Sequence, residues 1–218
     1  VSGPWKGWPD WRGETVAIIA SGPSAKSTPL APLRGRVRVI AIKECVDLCP
    51  WADVVYGCDA PWWRARRGLP EFKGLRVSYD RTLTADYGDS IRFVNITLTA
   101  DRILTETPGT IGCGGNSGFQ AVNLAVQWGV RRIALIGFDM HDRSGVHWYG
   151  RASGNGRSNP GEWNFRRWRA AFVASLPDFQ ACGVEVVNLS RDSELRCFPK
   201  LALQDALAAW SARADCTV

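Results

Sequence analysis

Short runs that are apolar at every position alternate with longer apolar stripes along this chain. "TVAIIA" (Thr15–Ala20) is a run of β-branched and small residues bounded by turn formers. A short run with no polar alternation predicts a strand buried on both faces, as in a parallel sheet. "VRVIAI" (Val37–Ile42), "ADVVYGCD" (Ala52–Asp59) and "RRIALIGFD" (Arg131–Asp139) repeat the pattern. "LRVSYD" (Leu75–Asp80), "IRFVNI" (Ile91–Ile96) and "VEVVNLS" (Val184–Ser190) add further strands. Between them, Asn116 to Trp128 is apolar nearly all round and predicts a buried helix. Asn116 is a natural N-cap and Gly129 a natural stop. Pro160 to Cys182 predicts a second long helix with a stripe of Trp163, Phe165, Trp168, Phe172 and Leu176, and Leu201 to Trp210 a terminal one. Strands alternating with helices predict a single α/β domain, a mostly parallel sheet with helices on both faces. That domain spans 15–218. Residues 1–14, "VSGPWKGWPDWRGE", read as an irregular arm anchored by its tryptophans.

In open α/β sheets, ligands bind at the carboxyl ends of the strands. The rule gathers Ser21–Ser24, Lys43–Glu44, Asp59 and Asp139–His141 at one edge. "ASGPS" (Ala20–Ser24) follows a strand directly. Gly22 permits close approach of a ligand or a tight turn, and Ser21 and Ser24 offer hydroxyls. It is neither Gly-x-Gly-x-x-Gly nor a Walker loop. "GCGGNSG" (Gly112–Gly118) precedes the buried helix, where backbone N–H groups suit an anion. Asn116 and Ser117 add side-chain hydrogen-bonding groups there.

"GFDMHDRSGVHWYG" holds both histidines of the chain, His141 and His147. With Asp139 and Asp142 they read as an acid-base set or a metal cluster. Asp139 ends the strongest strand and can orient a base or hold a ribose hydroxyl. His141 lies two residues on and faces the same side if the strand continues. His147 lies beyond an Arg-Ser-Gly turn and can close over substrate with Trp148 and Tyr149.

Composition narrows the field. The chain has 218 residues, 45% hydrophobic and 22% charged, which is globular rather than disordered. A net charge of +6 favours anionic partners such as nucleotides, phosphorylated sugars, nucleic acid or lipid headgroups. Six of the 11 tryptophans fall in two clusters, Trp5, Trp8 and Trp11, then Trp148, Trp163 and Trp168. They read as core anchors or as a stacking platform for a sugar or base. The seven cysteines show no zinc spacing, since Cys45 and Cys49 have no second pair. They read as reduced, mostly buried thiols of a cytoplasmic protein. No apolar run approaches the ~18–20 residues that span a bilayer. No signal peptide is visible.

Taken together, "VAIIASGPSA", "GGNSGFQAVNLAVQWGVRRIALIGFDMH" and their spacing resemble the bacterial lipooligosaccharide sialyltransferases. They are also similar to the archaeal 6-hydroxymethylpterin pyrophosphokinase-like family and to uncharacterised phage and prophage proteins. The resemblance covers roughly Thr15 to Gly150. It implies a Rossmann-like glycosyltransferase that uses a cytidine-nucleotide sugar without an essential metal. Gly22, Pro23 and Ser24 match the family's first nucleotide loop, Ser117 and Gly118 the second, and Asp139 the acid at the strand end. Two family tyrosines that steady the leaving phosphate correspond to His141 and His147. The family's catalytic histidine lies further downstream, and no histidine follows His147 here. Either a histidine of this segment has taken over as base or the chemistry differs.

The leading expectation is a nucleotide-sugar-dependent glycosyltransferase, phage-associated, with a glycan or a modified DNA base as acceptor. His147 is the expected general base, His141 the phosphate partner and Asp139 the orienting acid. Ser21, Gly22, Pro23, Ser24, Asn116, Ser117 and Gly118 bind the nucleotide, and Asp59, Trp148 and Tyr149 the substrate. No cofactor and no metal site are expected. A DNA acceptor would engage Arg66, Arg67, Arg166, Arg167 and Arg169 and stack on tryptophans. The rivals are a pyrophosphokinase with Mg²⁺ on Asp59, Asp139 or Asp142, and a non-catalytic nucleotide-binding accessory protein. No feature of the sequence specifies an oligomeric state.

Overall fold

The computed structural model describes residues 7–153 and 159–214. Strand β1 (Thr15–Ile19) leads into a one-turn helix α1 (Ser24–Ser27). Then come β2 (Arg38–Ile42), β3 (Val54–Tyr56), α2 (Ala60–Ala65), β4 (Leu75–Ser78), α3 (Thr84–Tyr87), β5 (Arg92–Phe93), β6 (Asn95–Thr97) and β7 (Thr110–Gly112). The second half holds α4 (Ser117–Gln127), β8 (Arg132–Ile136), α5 (Glu162–Ala174), α6 (Leu176–Ala181), β9 (Glu185–Asn188) and α7 (Leu203–Ala214).

Seven parallel strands form the main sheet in the order β5-β4-β3-β2-β1-β8-β9. The chain steps outward from β1 to β5, then returns to the other side of β1 with β8 and β9. The strand order therefore reverses between β1 and β8, and a crevice opens at their carboxyl ends. Residues of β1 alternate between two cores. Val16 and Ile18 pack with Phe119 of α4, Phe172 of α5 and Phe179 of α6. Ala17 and Ile19 pack with Ala25 of α1, Trp62 and Trp63 of α2 and Leu207 of α7. Burial on both faces is why the strands read as unbroken apolar runs.

Helix α4 is buried from Ser117 to Val126. Asn116 caps it, its Oδ1 accepting from the Phe119 N–H at 2.9 Å. Gly129, at φ +84°, makes the left-handed turn that ends it. Its buried polar residues Gln120 and Asn123 are satisfied, Gln120 by Tyr56 and Cys113. Asn123 Oδ1 accepts from the N–H groups of Leu104 and Gly112 at 2.9 and 2.8 Å, and its amide donates to Leu104 O at 2.7 Å.

Three details differ from the sequence expectation. Ile91–Ile96 is not one strand. The Val94 N–H bonds to Ser78 O in the main sheet, whereas the Asn95 N–H bonds to Gly109 O, so β6 pairs with β7 in a separate two-stranded sheet. The long helix from Pro160 breaks at Ser175, because Pro177 has no N–H to continue the ladder and α6 restarts there. Its apolar stripe runs through Phe165, Ala171 and Phe172, while Trp163 is 70% exposed.

Trp8 and Trp11 of the arm pack on Trp128 at the end of α4, with centroids 6.2 and 4.8 Å apart. Trp5 lies outside the described residues. Among the described residues six cysteines are free thiols. Cys45 and Cys49 are buried, and the other four are half-buried rather than buried as expected. No helix among the described residues is long and apolar enough to cross a membrane.

Candidate active site

The crevice holds a cavity of about 280 Å³. It is lined by Ser21 and Gly22 after β1, Lys43 and Glu44 after β2, Cys58 and Asp59 after β3, and Gly137–His141 after β8. The start of α4, the segment bearing His147 and Tyr149, and Asn164, Phe165 and Trp168 of α5 close it. All four strand ends expected at the edge meet here. Asp139 and His141 also back onto a second, more open groove of about 860 Å³.

The loops after β1 and β8 are clamped together. The Gly22 N–H donates to Gly137 O at 2.9 Å. A Cβ at Gly22 would lie 2.5 Å from that carbonyl and 2.7 Å from the Asp139 carboxylate. Gly22 thus serves the contact between two loops, the tight-turn alternative, more than approach by a ligand. Asp139 is 4% exposed. Its carboxylate accepts the Ser24 N–H at 2.9 Å and the Ser24 hydroxyl. Pro23 and Ser24 face away from the cavity and line the second groove. Met140 takes a left-handed backbone at φ +60°, which a non-glycine residue adopts only when held. Arg169 holds it, donating to Met140 O at 2.7 Å.

His147 reaches over the cavity. Its Nδ1 lies 2.9 Å from Ser21 Oγ, and its ring stacks on Tyr149 at 4.9 Å and 9°. Burial, and secondarily the Lys43 ammonium, push its pKa down to about 4. The imidazole is therefore neutral at physiological pH. Trp148, anchored by its N–H to Ser21 O at 2.8 Å, turns the other way and packs against the core beneath the sheet edge.

His141 differs from the expectation. It is 5% exposed. Its Nε2 lies 2.6 Å from Asp192 O, and its Nδ1 accepts the Arg143 N–H at 3.2 Å. A carbonyl partner requires Nε2 to carry the proton and an N–H partner requires Nδ1 to lack one. Both nitrogens are spent on tying the β8 loop to the segment after β9, and neither is left for a phosphate.

The start of α4 lines the same cavity as His147. Of its first N–H groups, which have no partner inside the helix, that of Phe119 goes to the Asn116 side chain and that of Gln120 to Asn116 O. Ser117 and Gly118 line the cavity. The Ser117 hydroxyl donates to Cys58 Sγ at 3.0 Å, and Trp168 Nε1 donates to Gly115 O at 2.9 Å. Burial pushes the Cys58 thiol up to about 11, so it is protonated near neutral pH. Lys43 also lines the cavity, ion-paired with Asp59. Burial works to lower its pKa, but the neighbouring acidic groups outweigh it, and the net direction is up. Lys43 stays cationic. As a site residue it was missed; the sequence showed only its nearness to a strand end.

Of the arginines considered for DNA, Arg66 pairs with Asp47, Arg167 with Asp101 and Arg169 with Glu162. Trp163 points to solvent. Among the described residues no three His, Cys, Asp or Glu side chains cluster as metal ligands would.

By sequence, no protein-family model and no curated protein matches the chain. By fold, it is similar to the sialyltransferase CstII from Campylobacter jejuni in complex with cytidine-5'-monophosphate, with a TM-score of 0.58 at 14% identity over 88% of this chain and 86% of that one. The CstII structure with CMP-3FNeuAc gives 0.56 at 14% identity over 87% and 86%. The sialyltransferase CST-II complex with trisaccharide acceptor and CMP gives 0.54 at 14% over 87% and 86%. The fold is sialyltransferase-like. The likeness extends to neither the pyrophosphokinase nor the phage part of the expectation.

Proposed function

We propose that the chain is a glycosyltransferase that takes its sugar from a nucleotide donor. The observation that carries this reading is the pairing of two features in one cavity. A helix start, Ser117 and Gly118, lines it, and so does a neutral imidazole held on Ser21. Backbone N–H groups at a helix N-terminus suit a donor phosphate. A neutral imidazole suits removal of a proton from an acceptor hydroxyl.

The chemistry follows from that arrangement. In the tautomer in which His147 Nδ1–H donates to Ser21 Oγ, the Nε2 lone pair is left as base. The acceptor oxygen forms a bond to the anomeric carbon while Nε2 takes its proton. The bond from that carbon to the phosphate oxygen breaks, and its electron pair stays on the phosphate. Ser21 positions the base, and Asp139 positions Ser21 by holding the α1 turn through Ser24.

Cytidine nucleotides are the first donors to test, because the structures of similar fold hold CMP or CMP-3FNeuAc. A glycan hydroxyl is the first acceptor, since one of those structures holds a trisaccharide. A DNA acceptor is the weaker reading, because three of the five arginines it would engage, Arg66, Arg167 and Arg169, are in ion pairs. The pyrophosphokinase alternative fits less well. Asp59 is held by Lys43, Asp139 by Ser24, and Asp142 does not border the cavity.

The test is a calorimetric screen of nucleoside mono- and diphosphates and their sugars. One nucleotide class should bind with one-to-one stoichiometry. Absence of binding to every nucleotide at millimolar concentration would remove this reading.

A further inference from the structure

Resting on the nucleotide-sugar reading, we infer that Lys43 is the residue that binds and neutralises the leaving phosphate of the donor. A transferase must compensate the charge that develops on that phosphate as the glycosidic bond breaks. Of the other polar side chains around the cavity, four are already engaged by protein partners. Both nitrogens of His141 are bonded. His147 Nδ1 is on Ser21. The Asn116 amide is spent on Phe119 N and Gly114 O, and the Ser117 hydroxyl on Cys58.

Among the described residues, Lys43 is the only lysine or arginine lining the cavity. Its ammonium has three donors, and among the described residues it hydrogen-bonds Asp59. Two donors remain for phosphate oxygens, on the wall next to the α4 start. The backbone supports the same conclusion. Lys43 sits at φ +49°, a left-handed conformation that costs a side-chain-bearing residue free energy. A glycine would take this turn without strain. The chain instead carries a long cation there, directly after β2.

The assignment completes the balance of the transfer. The proton of the acceptor goes to His147, and the electron pair of the broken bond goes to a phosphate oxygen hydrogen-bonded by the Lys43 ammonium. It also keeps base and cation distinct, because a charged Lys43 near His147 favours the neutral imidazole.

The experiment compares cytidine, uridine, adenosine and guanosine with their 5'-monophosphates by calorimetry, on the wild type and on Lys43→Met. The variant should weaken the monophosphate that binds by about ten- to a hundredfold, the size of one or two charge-assisted hydrogen bonds. It should leave the matching nucleoside within about twofold. Lys43→Gly, which suits the local backbone, should behave alike and covers the case in which Lys43→Met fails to fold. If either folded variant binds the monophosphate as the wild type does, or loses nucleoside and monophosphate equally, the Lys43 assignment is overturned while the nucleotide site stands. If the wild type binds none of the eight probes, the Lys43 assignment falls, and the nucleotide reading falls with it only if the diphosphates and nucleotide sugars fail to bind as well.

Discussion

The hydroxyl of Ser21 lies 2.9 Å from Nδ1 of His147, a residue 126 positions away. That bond joins the loop after β1 to the segment after β8 across the point where the strand order reverses. It also ties the imidazole that the proposed transfer uses as its base. His147→Ala should lower turnover by roughly 10²–10⁴ and leave donor affinity nearly unchanged. Ser21→Ala should lower turnover less, by releasing the ring rather than removing it. Steady-state kinetics with donor binding measured separately checks both. A variant with wild-type turnover would mean that the histidine is structural.

The pH profile carries its own signature. His147 is depressed to about 4 from 6.5, mainly by burial. A base with that pKa stays active until the pH falls through about 4, so the acidic limb of the rate profile should lie near 4 rather than near 6.5. Stability shifts in the same sense. Between about pH 4 and 6.5 the unfolded chain binds a proton at this histidine that the folded chain does not, so stability falls as pH is lowered across that window. Urea midpoints measured across it should fall for the wild type and less for His147→Ala.

His141 should behave as a structural residue. Its ring bridges Asp192 O and the Arg143 N–H from a buried position. His141→Ala should cost about 1–3 kcal/mol of stability and change donor affinity by less than about threefold. Chemical denaturation beside calorimetry checks this. Weakened donor binding without destabilisation would restore the phosphate role.

Gly22→Ala tests the clamp between the two loops. The new Cβ would lie 2.5 Å from Gly137 O, and that backbone carbonyl has little room to move. Overpacking of this kind costs about 1–3 kcal/mol. The variant should denature at lower urea, and its donor affinity should fall because Ser21 is displaced with the loop. An unchanged denaturation midpoint would mean the loops are loosely joined.

Much of the fold was legible because burial on both faces of a parallel sheet writes itself as unbroken β-branched runs, as in β1, β2 and β8. Asn116 and Gly129 marked the ends of α4 for local reasons of capping. β7 was not legible. Its three residues end in glycine and are held by Asn123, a contact only the fold creates. The site divides the same way. Ser21, Lys43, Asp59 and Asp139 follow from the rule that ligands gather at strand ends, Ser117 from the glycine turn before α4, and His147 from the acid-histidine segment after β8. The outward turn of Trp148, the commitment of His141 to Asp192 and the arrival of Lys43 beside Asp59 depend on long-range partners and on left-handed backbone at Lys43 and Met140. Neither periodicity nor spacing encodes those.

The most direct measurement is nucleotide release from CMP-, UDP- and GDP-linked sugars with a glycan acceptor, in the presence of a chelator, for the wild type and His147→Ala. The wild type should consume one donor class, form a glycosylated product and keep its rate without divalent metal, while His147→Ala should slow by roughly 10²–10⁴. Consumption of no donor, or equal rates in both proteins, would contradict the account.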